Sequence, residues 1–263
     1  MKDSEPSDLL YEVKGPVGVI TFNRPKAHNA LTFEMYERLG EICAGVAGDG
    51  GVRALIITGA GGRAFAAGTD ISLFRNFRSA ADGLAYEERM EKVFIRLEGC
   101  PVPTIAAIPG VCTGGAAVIA AACDLRIATR GLKYGFPIAR TLANMLSATN
   151  IARVAALTGV GRAVDMIMTT RLMGAEEALA VGLVSELLDT PEALMQRAHA
   201  LAAQLATQAP LTMRAAKEVV RRLRERAAAV DDKDLIALCY GSADFQEGLD
   251  AFLTKRAPKF AGR

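Results

Sequence analysis

Apolar positions along the 263-residue chain fall into two alternating rhythms. Residues 17–22 (Val-Gly-Val-Ile-Thr-Phe) and 54–58 (Ala-Leu-Ile-Ile-Thr) are short β-rich runs, the second almost unbroken, as expected for a strand covered on both faces. Between them Leu31, Met35, Leu39, Ile42 and Val46 recur at spacings of four, four, three and four. That places one apolar stripe on a helix capped by Thr32. A Gly-rich loop follows, then a helix around residues 86–98 with apolar Met90, Val93, Phe94 and Leu97. Next come a strand at Thr104–Ile108, a turn at Pro109-Gly110, a helix of small residues over 114–123 and a strand over 124–128. Strands that alternate with helices predict an α/β fold.

Beyond about Asn150 the pattern turns helical, with helices expected over 175–181, 191–208, 212–226 and 245–253. Pro191 sits where a first-turn proline is tolerated, and Pro210 separates two helices. Residues 1–195 are expected to form the core and 196–263 a helical C-terminal segment. Residues 99–123 carry no charge, but Pro101, Pro103, Pro109, Gly110, Gly114 and Gly115 break the run into pieces. It reads as buried core, and no membrane association is expected.

Composition narrows the chemistry. Thirty-one Lys+Arg against 29 Asp+Glu leave a net charge of +2, too weak a field to predict nucleic acid or an anionic membrane as partner. Five cysteines without C-x-x-C spacing, and a polar, acidic start unlike a signal peptide, point to reduced thiols in the cytoplasm. With His28 and His199 the only histidines, a multi-histidine metal site is excluded and no metal is expected. There is no G-x-S-x-G elbow, H-E-x-x-H or Walker loop. Gly59-Ala60-Gly61-Gly62-Arg63-Ala64 matches a dinucleotide fingerprint only in letters, because a further turn follows where a helix should begin. The basic run 217–226 reads as an amphipathic helix, with Val219, Val220 and Leu223 inward and a solvated charged face. RNA binding through it is a remote alternative whose mark would be steep salt dependence.

Two segments combine small residues with strand ends. Residues 63–71 (Arg-Ala-Phe-Ala-Ala-Gly-Thr-Asp-Ile) allow a ligand close to the main chain. Residues 108–117 (Ile-Pro-Gly-Val-Cys-Thr-Gly-Gly-Ala-Ala) open a helix, whose unpaired N–H groups and positive dipole end suit a ligand oxygen. Two such donors on one carbonyl form an oxyanion hole.

These segments, with residues 22–31 (Phe-Asn-Arg-Pro-Lys-Ala-His-Asn-Ala-Leu), 103–110, 123–128 (Cys-Asp-Leu-Arg-Ile-Ala) and 175–184, give the chain a strong resemblance to the enoyl-CoA hydratase/isomerase (crotonase) superfamily over almost its whole length. The resemblance implies a spiral of ββα units, a C-terminal segment that mediates trimerisation, and homotrimers often paired into hexamers. It also implies an acyl-CoA substrate, with coenzyme A arriving as part of that substrate and no permanently bound cofactor. Matching positions make Thr69 and Gly115 the two amide donors, with Gly114 beside them. They place the adenine and pantetheine along Lys26, Ala27, Ala67, Gly68, Asp70 and Ile71. Tyr240 and Lys255 match positions that help hold the nucleotide end, across a subunit boundary.

The chain departs from the family at the two glutamates that hydratases use. The first position is Val118 and the second Ile138. Between Glu98 and Asp165 the sole carboxylate is Asp124, in a segment expected to be structural. A positioned acid or base contributes about 10²–10⁴-fold, so ordinary hydration is expected to be very weak. The usual isomerase glutamate belongs to the same region, so simple double-bond isomerisation is expected to be weak as well. Nearby, Arg140 is a candidate to bind a substrate carboxylate, and Thr141, Asn144 and Ser147 to orient water or an acyl group. Glu87, Glu88 or Glu91 are candidates to supply a base from another direction. Three functions follow: a thioester enzyme with a non-standard acid/base set, a decarboxylase or C–C hydrolase of a carboxylated acyl-CoA, or a catalytically silent acyl-CoA-binding subunit.

Overall fold

The computed structural model describes residues 7–46, 51–227 and 230–263. The chain opens with β1 (Leu9–Lys14), β2 (Val17–Phe22), α1 (Phe33–Gly45), β3 (Ala54–Gly59), β4 (Ala64–Ala66) and α2 (Ala80–Glu98). It continues through β5 (Thr104–Ile108), β6 (Val111–Thr113), α3 (Gly115–Ala122), β7 (Leu125–Thr129), β8 (Lys133–Gly135), α4 (Ile138–Thr141), α5 (Ala148–Thr158) and α6 (Val160–Thr169). Then follow β9 (Met173–Gly174), α7 (Ala175–Ala180), β10 (Glu186–Leu188), α8 (Pro191–Ala206), α9 (Pro210–Ala227), α10 (Lys233–Tyr240) and α11 (Ala243–Leu253).

A six-stranded sheet runs β1-β2-β3-β5-β7-β10, parallel except for the β1–β2 hairpin, and a four-stranded sheet runs β4-β6-β8-β9. Each of β3, β5 and β7 passes directly into a short strand of the second sheet and then a helix, which is the ββα spiral expected. The larger sheet is covered on both faces. Leu55 and Ile57 of β3 join the main core, while Ala54 and Ile56 face a second cluster closed by Leu194, Ala198 and Ala202 of α8. The period-two alternation of a strand makes both faces of an apolar run useful.

Thr32 caps α1 as predicted, its Oγ1 accepting from Met35 N at 3.3 Å. Helix α2 begins six residues before its expected start, because Asp82 accepts from the N–H groups of Arg78 and Ser79 and forms a capping box with Ser79. The sequence Ser79-Ala80-Ala81-Asp82 carried that signal. The added turns matter, since they hold Gly83, Tyr86 and Glu87 in line.

Two expectations need correction, and several helices had none. The boundary at 195/196 cuts through α8, whose Leu194 and Ala198 seal the same sheet face, so this helix belongs to the core. Helices α5, α6 and α10 had no separate expectation in the sequence pattern. Helix α9 shows the reverse of the polarity expected: Val219, Val220 and Leu223 are 57%, 52% and 64% exposed, while Lys217 and Arg224 reach inward to Asp124 and Glu98 at 2.5 and 3.0 Å. A groove of about 920 Å³ runs between α9, α5 and α6, lined in part by Val220, Leu223 and Ile151. None of its lining residues comes from the two glycine-bearing segments.

Candidate active site

The first wall of the site is the loop after β2. Asn29 is buried; its Oδ1 accepts from Arg24 N at 3.0 Å and its Nδ2 donates to the carbonyls of Ala60 and Ala64 at 3.0 and 2.9 Å. Arg24 Nη1 donates to Ala30 O at 2.6 Å and to Asp70 Oδ2 at 3.0 Å. Burial pushes the Asp70 carboxyl up, but its bonds to Ser72 and Arg24 outweigh this and hold it below the usual carboxylate range. Ala67 N–H donates to His28 O at 3.0 Å, which joins the segment 63–71 to this loop. Lys26 and Ala27 lie exposed on the short turn Pro25–Ala27 beside it.

Thr69 makes a parallel bridge with Leu31. Both of its hydrogen bonds belong to Leu31, whose N–H donates to Gly68 O at 2.8 Å and whose carbonyl accepts from Asp70 N at 2.9 Å. In that pattern the N–H of Thr69 faces away from the bridge. Gly115 opens α3, so its N–H lies outside the helical ladder. Among the described residues no backbone carbonyl accepts either N–H outside regular elements.

The two segments touch. A β-carbon on Gly68, whose φ is +95°, would lie 3.1 Å from Thr113 O, and one on Gly115 would lie 3.2 Å from Thr69 Oγ1 and 2.0 Å from Tyr36 Oη. Glycine is required at both places for the loops to meet. Over this junction opens a cavity of about 210 Å³, whose apolar walls include Ile71, Phe74, Met90, Phe94, Val118 and Ile138.

Hydroxyls brace the junction. Thr69 Oγ1 is 2.9 Å from Tyr36 Oη and 3.0 Å from Tyr86 Oη. One helix position after Tyr86, Glu87 is buried and lines the same cavity. Its Oε1 accepts from Tyr240 Oη at 2.8 Å, and Tyr240 accepts in turn from Asn144 Nδ2 at 3.2 Å. Asn144 also lines the cavity, and its buried Oδ1 has no partner. Such an orphan costs about 1–3 kcal/mol until a donor reaches it. Burial pushes the Glu87 carboxyl up to about 7; the Tyr240 hydroxyl opposes this, and Asp232 and Glu91 add to it.

The structure thus brings Lys26, Ala27, Ala67, Gly68, Thr69, Asp70, Ile71, Gly114, Gly115, Val118 and Ile138 to one corner and its cavity. Three candidates fall elsewhere. Arg140 is exposed on α4 and is not among the cavity-lining residues. Tyr240 is 1% exposed, packed against Gly83 of α2, and its hydroxyl donates to Glu87. Lys255 is exposed just beyond α11, three residues after Phe252, which lines the cavity. Of the three alternative carboxylates, Glu88 is exposed and paired with Lys92, and Glu91 is paired with Arg153; Glu87 alone of them reaches the cavity. Thr141 Oγ1 bonds back to Pro137 O, and Ser147 Oγ pairs with Thr149 Oγ1 at the start of α5. Tyr36 and Tyr86 carried no sequence signal, being aromatic members of helical stripes.

This is the architecture of a ββα-spiral enzyme with its site at a junction of glycine-bearing loops. The enoyl-CoA hydratase/isomerase family model matches residues 12–263, and the chain belongs to that family, within the crotonase superfamily. It is 32% identical to the short-chain-enoyl-CoA hydratase of Clostridium acetobutylicum over 96% of this chain and 97% of that one. It is likewise 32% identical to the crotonyl-CoA hydratase of Syntrophomonas wolfei, over 97% and 98%. Among solved structures, a methylmalonyl-CoA decarboxylase in complex with 2-nitronate-propionyl-CoA superposes with a TM-score of 0.87 at 26% identity, covering 98% of this chain and 99% of that one.

Proposed function

We propose that this enzyme binds an acyl group as its coenzyme A thioester and stabilises the thioester enolate between the amides of Thr69 and Gly115. The carrying observation is the contact of two loops whose donor amides have no backbone partner outside regular elements among the described residues, beside one apolar cavity. Each such donor typically contributes roughly 2.7–4 kcal/mol to the transition state. The coenzyme's nucleotide end lies along the exposed corner of Lys26 and Ala27, and nothing beyond the substrate's own coenzyme A is required.

Val118 and Ile138 stand where a hydratase would place its glutamates, so ordinary hydration is a weak side activity at most. The cavity lining carries one carboxylate and no cation among the described residues. An uncharged acyl chain therefore suits it better than a carboxylated one, which argues against the decarboxylase or C–C hydrolase reading. The exposed apolar positions of α9 support a homotrimer or hexamer, which sedimentation measures directly.

The test is a panel of thioesters: crotonyl-CoA for hydration, 3-enoyl-CoA for isomerisation and malonyl-type CoA for decarboxylation, with calorimetry in parallel. Turnover of an uncharged thioester is expected. Tight binding with zero turnover throughout would make the protein a silent acyl-CoA-binding subunit, and absence of binding would overturn the proposal.

A further inference from the structure

Glu87 is a buried carboxylate for which neither the oxyanion junction nor the family's motifs provide a task. Its setting is built from three elements. On α2, Gly83 lies one turn before it on the same face, and a β-carbon there would sit 2.2 Å from Tyr240 Cγ. The bare glycine lets the Tyr240 ring lie flat on the helix, so that its hydroxyl lands on Glu87 Oε1. Asn144, between α4 and α5, donates to that hydroxyl and so fixes its direction toward the carboxylate. Glu87 Oε2 has no hydrogen-bond partner among the described residues, and the residue borders the cavity with Thr69 and Gly115. Tyr86, its neighbour in sequence, bonds to Thr69 Oγ1, which pins this turn of α2 to the junction.

We propose that Glu87 is the catalytic acid/base of this enzyme, acting from α2 where Val118 and Ile138 offer no carboxylate, in the family's isomerisation of a 3-enoyl thioester to the 2-enoyl thioester. The proposal rests on the thioester-enolate reading above. Glu87 Oε2 takes a proton from C2; the C2–H electron pair forms the C1–C2 double bond, and the carbonyl pair moves onto the oxygen held by Thr69 and Gly115. The protonated carboxyl then delivers the same proton to C4: the C3–C4 pair forms the new C–H bond, the double bond settles between C2 and C3, and the carbonyl is restored. One group suffices because the proton removed is the proton returned. Hydration asks for a second group to activate water, and the cavity lining holds no second carboxylate among the described residues.

A group that both takes and returns a proton works best with its pKa near the operating pH. Burial is the main cause that brings Glu87 there; Asp232 just before α10 and Glu91 on α2 (itself paired with Arg153 of α5) add to the rise, and the Tyr240 hydroxyl on α10 opposes it. Tyr86 on α2 and Tyr36 on α1 also face the carboxylate, whose charge adds to burial in pushing both phenols up.

The experiment follows isomerisation of 3-hexenoyl-CoA, together with deuterium exchange at C2 of butyryl-CoA in D2O. Glu87→Gln, which keeps an oxygen for the Tyr240 hydroxyl, is expected to lower both by about 10²–10⁴-fold with thioester affinity unchanged. Glu88→Gln is expected to match the wild type. Tyr240→Phe removes the bond that lowers the carboxyl, so the pH midpoint of the basic form moves upward from about 7. Undiminished exchange in Glu87→Gln, or an unmoved midpoint in Tyr240→Phe, overturns the role of Glu87 and leaves the oxyanion junction standing. Absence of exchange and turnover in the wild type removes both.

Discussion

The two walls of the cavity are made of different material. At the Thr69–Gly115 junction the atoms proposed to bind the thioester are backbone, and the sequence contributes mainly by omission: Gly68, Gly114 and Gly115 leave out side chains so that two loops can meet. Opposite, Glu87, Tyr240 and Asn144 are side chains from three elements, with Tyr240 lying 153 residues from Glu87 and 96 from Asn144. A backbone wall tolerates change at neighbouring side chains but not an added methyl. A side-chain wall can be retuned by a single substitution, and its burial carries a cost that the backbone wall does not.

Gly115→Ala should break the first wall most severely. Its methyl is directed at Tyr36 Oη, and turnover is expected to fall by about 10²–10³-fold as one donor moves out of line. Tyr36→Phe in the same chain removes the obstructing oxygen and should restore part of the rate, measured as kcat on the best thioester.

At the second wall the expected sign is opposite for stability and activity. The folded-state pKa of Glu87 is raised from 4.5 to about 7, so the folded protein holds a proton that the unfolded chain has lost between those values. Stability therefore declines as pH rises through that window and then levels. Glu87→Gln should match the wild type in stability near pH 4 and exceed it by on the order of 3 kcal/mol at pH 8, in urea titrations at both pH values. A constant difference across pH would show that the carboxyl titrates normally.

Arg24→Ala tests how far the backbone wall depends on its supports. Losing the bonds to Ala30 O and Asp70 is expected to cost about 1–2 kcal/mol and to raise KM more than it lowers kcat, because it loosens the coenzyme corner and leaves the cavity intact. Arg140→Ala should have the smallest effect, leaving rates on charged and uncharged thioesters alike. A selective loss on a carboxylated substrate would show that Arg140 swings into the cavity.

The contrast also explains what could be read in advance. The contact of the two loops was legible because its demands are local: a positive φ favours glycine at position 68, and the close approach of the loops favours small residues at 114 and 115. The strands β2, β3 and β5 and the Thr32 cap were legible for similar reasons. Strands β4 and β6, three residues each, are too short for a period to show. Glu87 was one of three candidates on its helix, and spacing alone ranks none of them. The bond from Tyr240 to Glu87 was not legible, since sequence position says nothing about which helix face a distant residue meets. Helix α9 misled for a related reason: its inward charges answer Asp124 and Glu98, partners from far along the chain.

The sequence by itself determined the alternation of strands and helices, the glycines that let two loops meet, and the lack of any carboxylate other than Asp124 between Glu98 and Asp165. Each is a constraint within a few residues of backbone. Only the tertiary structure decided which remaining carboxylate enters the cavity, what holds it and where its proton sits. Those properties depend on burial and on side chains brought together from two helices and the loop between α4 and α5, and desolvation is a sum over neighbours that no local pattern records.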